Sequence, residues 1–211
     1  MEDFFMKPAS EYRREAREKL IGNFGWAILV LFVNTIILSA ASSFFIGTLI
    51  LSGPLMVGVS AAFVGMFRRD KIEFNDLFRA FDSNFGNTLV MGLLHTIFIF
   101  LWSLLFVIPG IVASYRYSMA PYILADNPEM DGKAALDSSK KLMYGKKGKL
   151  FCLHLSFIGW IILSAFTFGI LYICYVAPYM QAATTAFYES IKYEVPENQA
   201  RFLADSPAEG V

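Results

Sequence analysis

Residues 20–67 read LIGNFGWAILVLFVNTIILSAASSFFIGTLILSGPLMVGVSAAFVGMF and contain no aspartate, glutamate, lysine or arginine over 48 positions. Two further runs, residues 83–115 and 150–188, are uncharged over 33 and 39 positions. A membrane-spanning helix needs about 20 apolar residues. Of the 211 residues, 56% are hydrophobic and only 17% are charged, which argues against a water-soluble domain. The sequence therefore predicts an all-α membrane protein.

Each uncharged run is interrupted near its middle by small or turn-forming residues, at 42–47, 109–110 and 167–169. Each run therefore predicts a helical hairpin. The six predicted transmembrane helices cover residues 24–42, 46–67, 86–107, 110–126, 148–167 and 169–190. They form a single membrane domain over residues 1–195, which a flexible cytoplasmic tail over residues 196–211 follows.

The basic residues predict how the chain is oriented. Seventeen of the 18 lysines and arginines lie in four segments. These segments are the one before the first span, the connection between spans two and three, the connection between spans four and five, and the one after the last span. Because lysine and arginine near spans stay on the cytoplasmic side, both termini are predicted to be cytoplasmic. The net charge of zero argues against a nucleic-acid partner.

Short motifs recur three times along the chain. Asn-Phe-Gly at residues 23–25 returns at 84–86 and, as Met-Tyr-Gly, at 143–145. A proline preceded by a small residue lies in each even-numbered span, at Pro54, Pro121 and Pro178. The sequence thus predicts that the three hairpins are pseudo-repeats.

Each repeat is predicted to begin with a cytoplasmic helix that lies in the membrane interface. The pattern is clearest before span three, where apolar residues recur at helical spacing and charged residues occupy the other faces. The apolar residues are Phe74, Leu77, Phe78, Phe81 and Phe85, and the charged ones are Asp76, Arg79 and Asp82. Residues 10–20 and 131–143 are weaker versions, the second with Asn127 and Pro128 as its start. The alternative for all three is a solvated linker helix.

The odd-numbered spans carry a polar residue at one depth. Nine residues after the glycine of each repeat stand Asn34, His95 and His154, which helical rise places about 14 Å into the membrane. Such a layer hydrogen-bonds across a shared axis, relays a proton or lines a substrate path. The alternative is that a neighbouring backbone carbonyl satisfies each side chain. A metal site is disfavoured, because two histidines and an asparagine lack the usual thiolate or carboxylate partners.

Arg116 is the basic residue that lies inside a predicted span, between Tyr115 and Tyr117. An intramembrane charge is a candidate for function, because its insertion costs a few kcal/mol. One interpretation is that Arg116, with Tyr115 and Tyr117 beside it, forms a ligand-binding site that holds a lipid phosphate or an anionic solute. The other is that it reaches the outer headgroups or a structural partner.

Catalytic chemistry has no support in the sequence. No Walker loop, Gly-x-Ser-x-Gly or His-Glu-x-x-His motif occurs, and no set of acid, base and nucleophile is evident. We expect neither catalytic residues nor a cofactor.

Residues 106–128, FVIPGIVASYRYSMAPYILADNP, resemble the signature of a bacterial integral membrane family catalogued as domain of unknown function nine-seventy-five. Residues 53–58, 155–160 and 177–180 fit it too, and the resemblance extends over about residues 12–189. It implies a six-span protein of the bacterial cytoplasmic membrane, distantly similar to the membrane domain attached to some glycerophosphodiester phosphodiesterases. It implies no mechanism.

Two functions are consistent with these features. The first is a non-enzymatic protein that binds or transports a lipid or small amphiphilic solute at the Arg116 region, between the repeats. The second is a scaffold or regulator whose cytoplasmic helices recruit a protein partner, or whose basic segment at residues 140–149 senses anionic lipid.

Overall fold

The computed structural model describes residues 7–42, 45–82, 85–105, 107–167 and 169–192, and helices joined by short turns and loops make up these ranges. No β-strand occurs in those ranges, which confirms the predicted all-α class. The α-helices are α1 (Ala9–Leu20), α2 (Phe24–Ser42), α3 (Phe45–Arg69), α4 (Arg79–Asp82), α5 (Phe85–Leu105), α6 (Val107–Tyr117), α7 (Ala120–Asp126), α8 (Gly132–Leu142), α9 (Lys147–Leu155), α10 (Ile158–Phe166) and α11 (Ala177–Lys192). A 3₁₀ turn (Phe74–Leu77) precedes α4, and a π-helix (Tyr172–Val176) precedes α11. The predicted tail at 196–211 lies outside the described residues.

Four helical stretches are long and apolar enough to cross a membrane, judged by length and composition. They are Phe24–Ala41, Gly47–Arg69, Phe85–Leu104 and Lys147–Phe166. Within the chain 72% of Gly47–Arg69 is buried, whereas at most 22% of each other stretch is buried. Exposed apolar surface of this extent marks contact with lipid or a partner. The chain is therefore compatible with a multi-pass membrane protein.

Helix α3 lies at the centre and packs against α2, α5 and α7. It meets α5 backbone to backbone, because a Cβ atom built on Gly92 would lie 2.3 Å from the Cα atom of Gly53. A Cβ atom on Gly58 would lie 2.0 Å from the carbonyl oxygen of Leu77. Glycine is thus required at these approaches, as is usual where helices pack closely in a membrane.

The first three predicted spans match α2, α3 and α5 to within two residues at each end. The predicted break at residues 109–110 is wrong, because α6 begins at Val107 and contains both residues. Proline is tolerated there because the backbone N–H groups of a first helical turn have no acceptor in the helix. Gly110 allows α6 to pack against α5, since a Cβ atom would lie 2.3 Å from the Ser103 hydroxyl.

The fourth predicted span, residues 110–126, is divided into α6 and α7 at residues 118–119. Ser139 of α8 satisfies the backbone groups that this break leaves free. The Met119 backbone N–H donates to the Ser139 hydroxyl oxygen at 3.2 Å, and that hydroxyl donates to the Arg116 carbonyl at 3.0 Å. Helix α8 is therefore packed into the bundle beside the break.

The last two predicted spans are also interrupted. Residues 148–167 form α9 and α10, which are separated at residues 156–157. Residues 169–190 contain the π-helix, which ends just before Pro178. Because proline has no backbone N–H, the wider helical turn before it accommodates the missing hydrogen bond.

The first predicted interfacial helix is α1, which packs against α11. The ring of Tyr12 is 2% exposed and meets Phe187 edge to face at 5.4 Å between centroids. The hydroxyl oxygens of Tyr12 and Ser190 lie 3.1 Å apart, within hydrogen-bond distance. Helix α1 is thus anchored by its apolar face to the last helix.

The second predicted interfacial helix is a 3₁₀ turn followed by the four-residue α4 rather than one α-helix. The prediction that Asp76 lies on the solvent-facing polar face is wrong, because Asp76 is 6% exposed and pairs with Arg69. A 3₁₀ turn has 3.0 rather than 3.6 residues per turn, so its faces differ from those of an α-helix. Leu77 is fully buried, while Phe78 and Phe85 stay about one third exposed, at 37% and 36%.

The third predicted interfacial helix corresponds to α8, but its predicted start is wrong. Asn127 ends α7, because its side-chain amide and its backbone N–H both donate to the Ile123 carbonyl. Asp131 caps α8 instead, with its carboxylate accepting from the Lys133 backbone N–H at 3.2 Å.

Removal of this cap should weaken α8. We expect Asp131→Ala to lower the free energy of unfolding in detergent by about 1 kcal/mol, the usual loss for an N-cap. Asp137→Ala is the matched control, because Asp137 is exposed in the middle of the same helix. Equal losses in the two variants would contradict the assignment of the cap.

Candidate functional site

Two of the predicted site residues, Tyr115 and His154, are joined by a hydrogen bond. The Tyr115 hydroxyl lies 3.2 Å from His154 Nδ1, and His154 Nε2 lies 3.1 Å from the Thr184 hydroxyl oxygen. The Thr184 hydroxyl itself donates to the Met180 carbonyl at 2.9 Å. We infer that Nε2–H donates to Thr184 and Nδ1 accepts from Tyr115, since each hydroxyl has one proton. These bonds link α9 to α6 and α11.

His95 lies beside Tyr117, another predicted site residue. Their rings meet edge to face with centroids 6.4 Å apart, and Phe98 stacks on Tyr117 at 5.6 Å. Tyr117 is 7% exposed. This group links α5 to α6.

Asn34 does not join either group. It lies on α2, and its buried Oδ1 atom has no hydrogen-bond partner in the described part of the chain. The polar residues of the three odd-numbered spans therefore do not bond to one another. Each histidine instead contacts a tyrosine of α6.

Arg116, the principal predicted site residue, is fixed through its backbone. Its carbonyl accepts the Ser139 hydroxyl, while its guanidinium has no ion pair or hydrogen bond among the described residues. Arg68 and Arg69, in contrast, both pair with carboxylates. The hydrogen-bond donors of the Arg116 guanidinium, inside a predicted span, are therefore not used by any described residue.

Sequence reasoning missed a cluster of charges at the ends of α3, α7 and α11. Arg68 Nη2 donates to both carboxylate oxygens of Asp126, at 2.6 and 2.7 Å, and to Glu189 at 2.9 Å. Lys192 lies 3.2 Å from Asp126, and the Tyr188 hydroxyl donates to Asp126 at 2.8 Å. Asp126 is largely buried in this cluster, with a side chain that is only 14% exposed. The cluster joins one helix from each predicted repeat.

A cavity of about 170 Å³ lies beside this cluster. We call it the arginine cavity, because three arginines line it. Its walls are formed by Ala61, Val64, Gly65, Arg68, Arg69, Arg79, Ala125 and Asp126. Arg68 and Arg69 are ion-paired with carboxylates at its edge.

Within the described ranges, no group of three or more histidine, cysteine, aspartate or glutamate side chains is placed to hold a metal ion. The chemistry that this region offers is hydrogen-bond donation from arginine, tyrosine and histidine.

Comparison with known proteins identifies one family. The family profile with the description "Protein of unknown function (DUF975)" matches residues 6–113 and residues 104–194. No curated protein and no solved structure matches the chain.

Proposed function

We propose that this chain, which belongs to the DUF975 family of proteins of unknown function, binds or moves a lipid or small amphiphile in the bacterial cytoplasmic membrane. In this proposal the chain is not an enzyme. The observation that carries the proposal is the guanidinium of Arg116, which has no carboxylate partner among the described residues.

The proposed arrangement has six membrane crossings in three repeated hairpins, with both termini in the cytoplasm. Support comes from α6 and α7 together, since residues 107–126 supply about the 20 residues that a helical crossing of the hydrocarbon core needs. A non-helical break is tolerated at membrane depth where it is buried in protein and its polar groups are bonded. Met119 and Ala120 are fully buried, and Ser139 bonds the free backbone groups.

Arg116 has no anionic partner among the described residues, and in this proposal the anionic group of a ligand supplies one. A charged side chain at membrane depth costs about 2.5–3.5 kcal/mol, and pairing lowers this cost. A phosphate or carboxylate of an amphiphile supplies such a partner and accepts two hydrogen bonds from the planar guanidinium. The amphiphile's tails remain in the surrounding lipid, so the site needs to bury only the headgroup.

The tyrosines beside Arg116 hold the proposed site in place. Tyr115 bonds His154 and touches the Phe151 ring edge to face at 5.9 Å, while Tyr117 packs against His95 and Phe98. Helix α6 is therefore fixed on both sides of Arg116. A fixed backbone positions the guanidinium for a ligand at low entropic cost.

Loss of the guanidinium should release the ligand. We expect Arg116→Gln to bind its anionic lipid about tenfold more weakly, because one charge-assisted pair is worth about 1.5–3 kcal/mol. Native mass spectrometry of the full chain in mild detergent measures the retained lipid. Arg14→Gln is the control, because Arg14 is 73% exposed and lies 3.8 Å from Glu18 on α1. Equal lipid retention by wild type and both variants would contradict the proposal.

A second candidate function, a scaffold or regulator, is favoured by the segment between α8 and α9. Residues 140–149 contain five lysines around Tyr144, which is 83% exposed. Such a segment suits contact with anionic lipid or an acidic protein partner. If reversal of Lys140 and Lys147 to glutamate abolishes capture of a cytoplasmic partner while Arg116→Gln has no effect on lipid retention, this function replaces the first.

A further inference from the structure

We propose that Arg13 and Arg17 of α1, which we call the arginine pair, form a second ligand site that binds the phosphate group of an anionic phospholipid. The site lies on the helix that packs against α9 and α11. It goes beyond the function proposed above and does not depend on it, because Arg116 takes no part in it.

Arg13 carries a polar atom that is buried without a partner. Its Nε atom is shielded from solvent and bonds no acceptor among the described residues. The backbone carbonyl of the same residue accepts the Tyr179 hydroxyl at 3.0 Å, which fixes this turn of α1 against α11. A half-buried guanidinium without an acceptor is destabilising, and the oxygens of an anionic ligand would relieve that cost.

Arg17 lies one helical turn farther along α1 and adds a second charge. The carbon of its guanidinium group is 5.9 Å from the centroid of the Tyr179 ring, and no described carboxylate pairs with it. Like charges four residues apart on a helix repel each other. An anion bound by both guanidinium groups would remove that repulsion.

The glutamates of α1 do not neutralise the arginine pair. A helix turns about 100° per residue, so all three glutamates lie at least about 100° around the helix axis from either arginine. Glu15 is paired with Lys7 at 3.0 Å, and Glu18 lies 3.8 Å from Arg14. The third, Glu11, pairs with neither arginine.

The helices that pack against α1 supply no spare carboxylate either. Helix α9 contains no aspartate or glutamate. The one acidic residue of α11, Glu189, is paired with Arg68 and Lys192. Among these three helices the two positive charges of the arginine pair are therefore uncompensated.

A row of aromatic rings leads from the arginine pair to an exposed apolar surface. Tyr179 contacts Tyr175 at 5.7 Å between centroids, and Tyr175 contacts Trp160 at 5.3 Å. Trp160 is 38% exposed and lies on α10, whose large apolar side chains are exposed. Tyrosine and tryptophan are enriched where headgroups meet acyl chains. The row gives the acyl chains of a lipid a surface next to its phosphate, which favours a lipid over a soluble phosphate.

The charges also select among lipid headgroups. A guanidinium group donates two parallel hydrogen bonds to a pair of phosphate oxygens, so the arginine pair suits a phosphate well. A zwitterionic headgroup adds an ammonium group, for which α1, α9 and α11 offer no unpaired carboxylate beside the arginine pair. The site should therefore prefer phosphatidylglycerol to phosphatidylcholine.

The test titrates the purified full chain in mild detergent with dioleoyl phosphatidylglycerol and, as the comparison, with dioleoyl phosphatidylcholine. A ligand that binds the folded chain raises its melting temperature, so circular dichroism at increasing lipid concentration gives an apparent Kd. We expect wild type to prefer phosphatidylglycerol and Arg17→Gln to bind it about tenfold more weakly. Arg14→Gln is the matched control on the same helix, because Arg14 is 73% exposed and lies beside Glu18.

Two further comparisons separate binding from folding and lipid from soluble phosphate. Without lipid, Arg17→Gln should melt as wild type does, because Arg17 is exposed. Trp160→Ala keeps the arginine pair and should weaken binding of phosphatidylglycerol. Soluble glycerol phosphate should stabilise wild type less than the lipid does. Equal stabilisation by glycerol phosphate, or no preference between the two lipids in wild type, would overturn the inference, as would unchanged lipid binding in Arg17→Gln.

The two proposals fail separately, because the same titration is made in Arg116→Gln. If phosphatidylglycerol stabilises Arg116→Gln as it does wild type and Arg17→Gln removes the effect, the arginine pair is supported and the proposed function fails. If only Arg116→Gln weakens binding, the arginine pair is not a lipid site and the proposed function stands. Separate losses in both variants would support both sites.

Discussion

Of the glycine-to-alanine substitutions in α5, the one at Gly92 should destabilise the bundle most. The added Cβ atom would lie 2.3 Å from the Cα atom of Gly53, and main-chain atoms cannot move aside as a side chain does. We expect Gly92→Ala to lower the free energy of unfolding by about 2–3 kcal/mol, the range found for overpacked cores. Unfolding of the full chain in detergent, followed by circular dichroism, measures this loss.

Gly86→Ala is the matched control in the same helix. No atom lies within 4 Å of a Cβ atom built on Gly86. Because alanine favours a helix over glycine, this variant should be unchanged or more stable by up to about 1 kcal/mol. A loss for Gly86→Ala as large as for Gly92→Ala would show that α3 and α5 do not cross at these glycines.

Asp126→Asn should have the other large effect. Asp126 accepts from Arg68, Lys192 and Tyr188, so loss of its charge leaves the two cations with Glu189 as their one shared carboxylate among the described residues. Removal of one partner from a buried pair costs about 3–5 kcal/mol. Arg68 is 40% exposed, which lowers the expected loss to about 2–3 kcal/mol. The free energy of unfolding in detergent is again the measured quantity.

Glu18→Gln tests an ion pair without burial. Arg14 and Glu18 are 73% and 68% exposed and lie 3.8 Å apart on α1. Such a pair contributes at most about 0.5 kcal/mol. Equal stability of Asp126→Asn and Glu18→Gln would mean that the cluster does not join α3, α7 and α11.

Much of the helical framework was predictable, because long uncharged runs of sequence directly indicate helices that contact the hydrocarbon core. Ions are excluded from the hydrocarbon core, so the charge-free residues 20–67 predict α2 and α3 closely. Residues 110–126 were predicted less well. Whether Pro109 breaks a helix depends on its place in the first turn, and the gap after Tyr117 is stabilised by Ser139 from a later helix.

The candidate site was predicted in its residue types but not in its contacts. Polarity within a predicted span was enough to select His154, and a place beside Arg116 selected Tyr115, but the partner of the second imidazole nitrogen, Thr184, lies 30 residues farther along the chain. The charge cluster depends on pairs separated by 58 and 121 residues, Arg68 with Asp126 and with Glu189. A single sequence contains no signal for such pairings.

The position at which a bound lipid contacts the chain tests the central claim most directly. An anionic lipid that carries a diazirine next to its headgroup would be photo-cross-linked to the full chain in vesicles, and the modified peptides mapped by mass spectrometry. The account predicts adducts concentrated on α6 near Arg116, and their loss in Arg116→Gln but not in Arg14→Gln. Adducts confined to residues 140–149, or unchanged by Arg116→Gln, would contradict it.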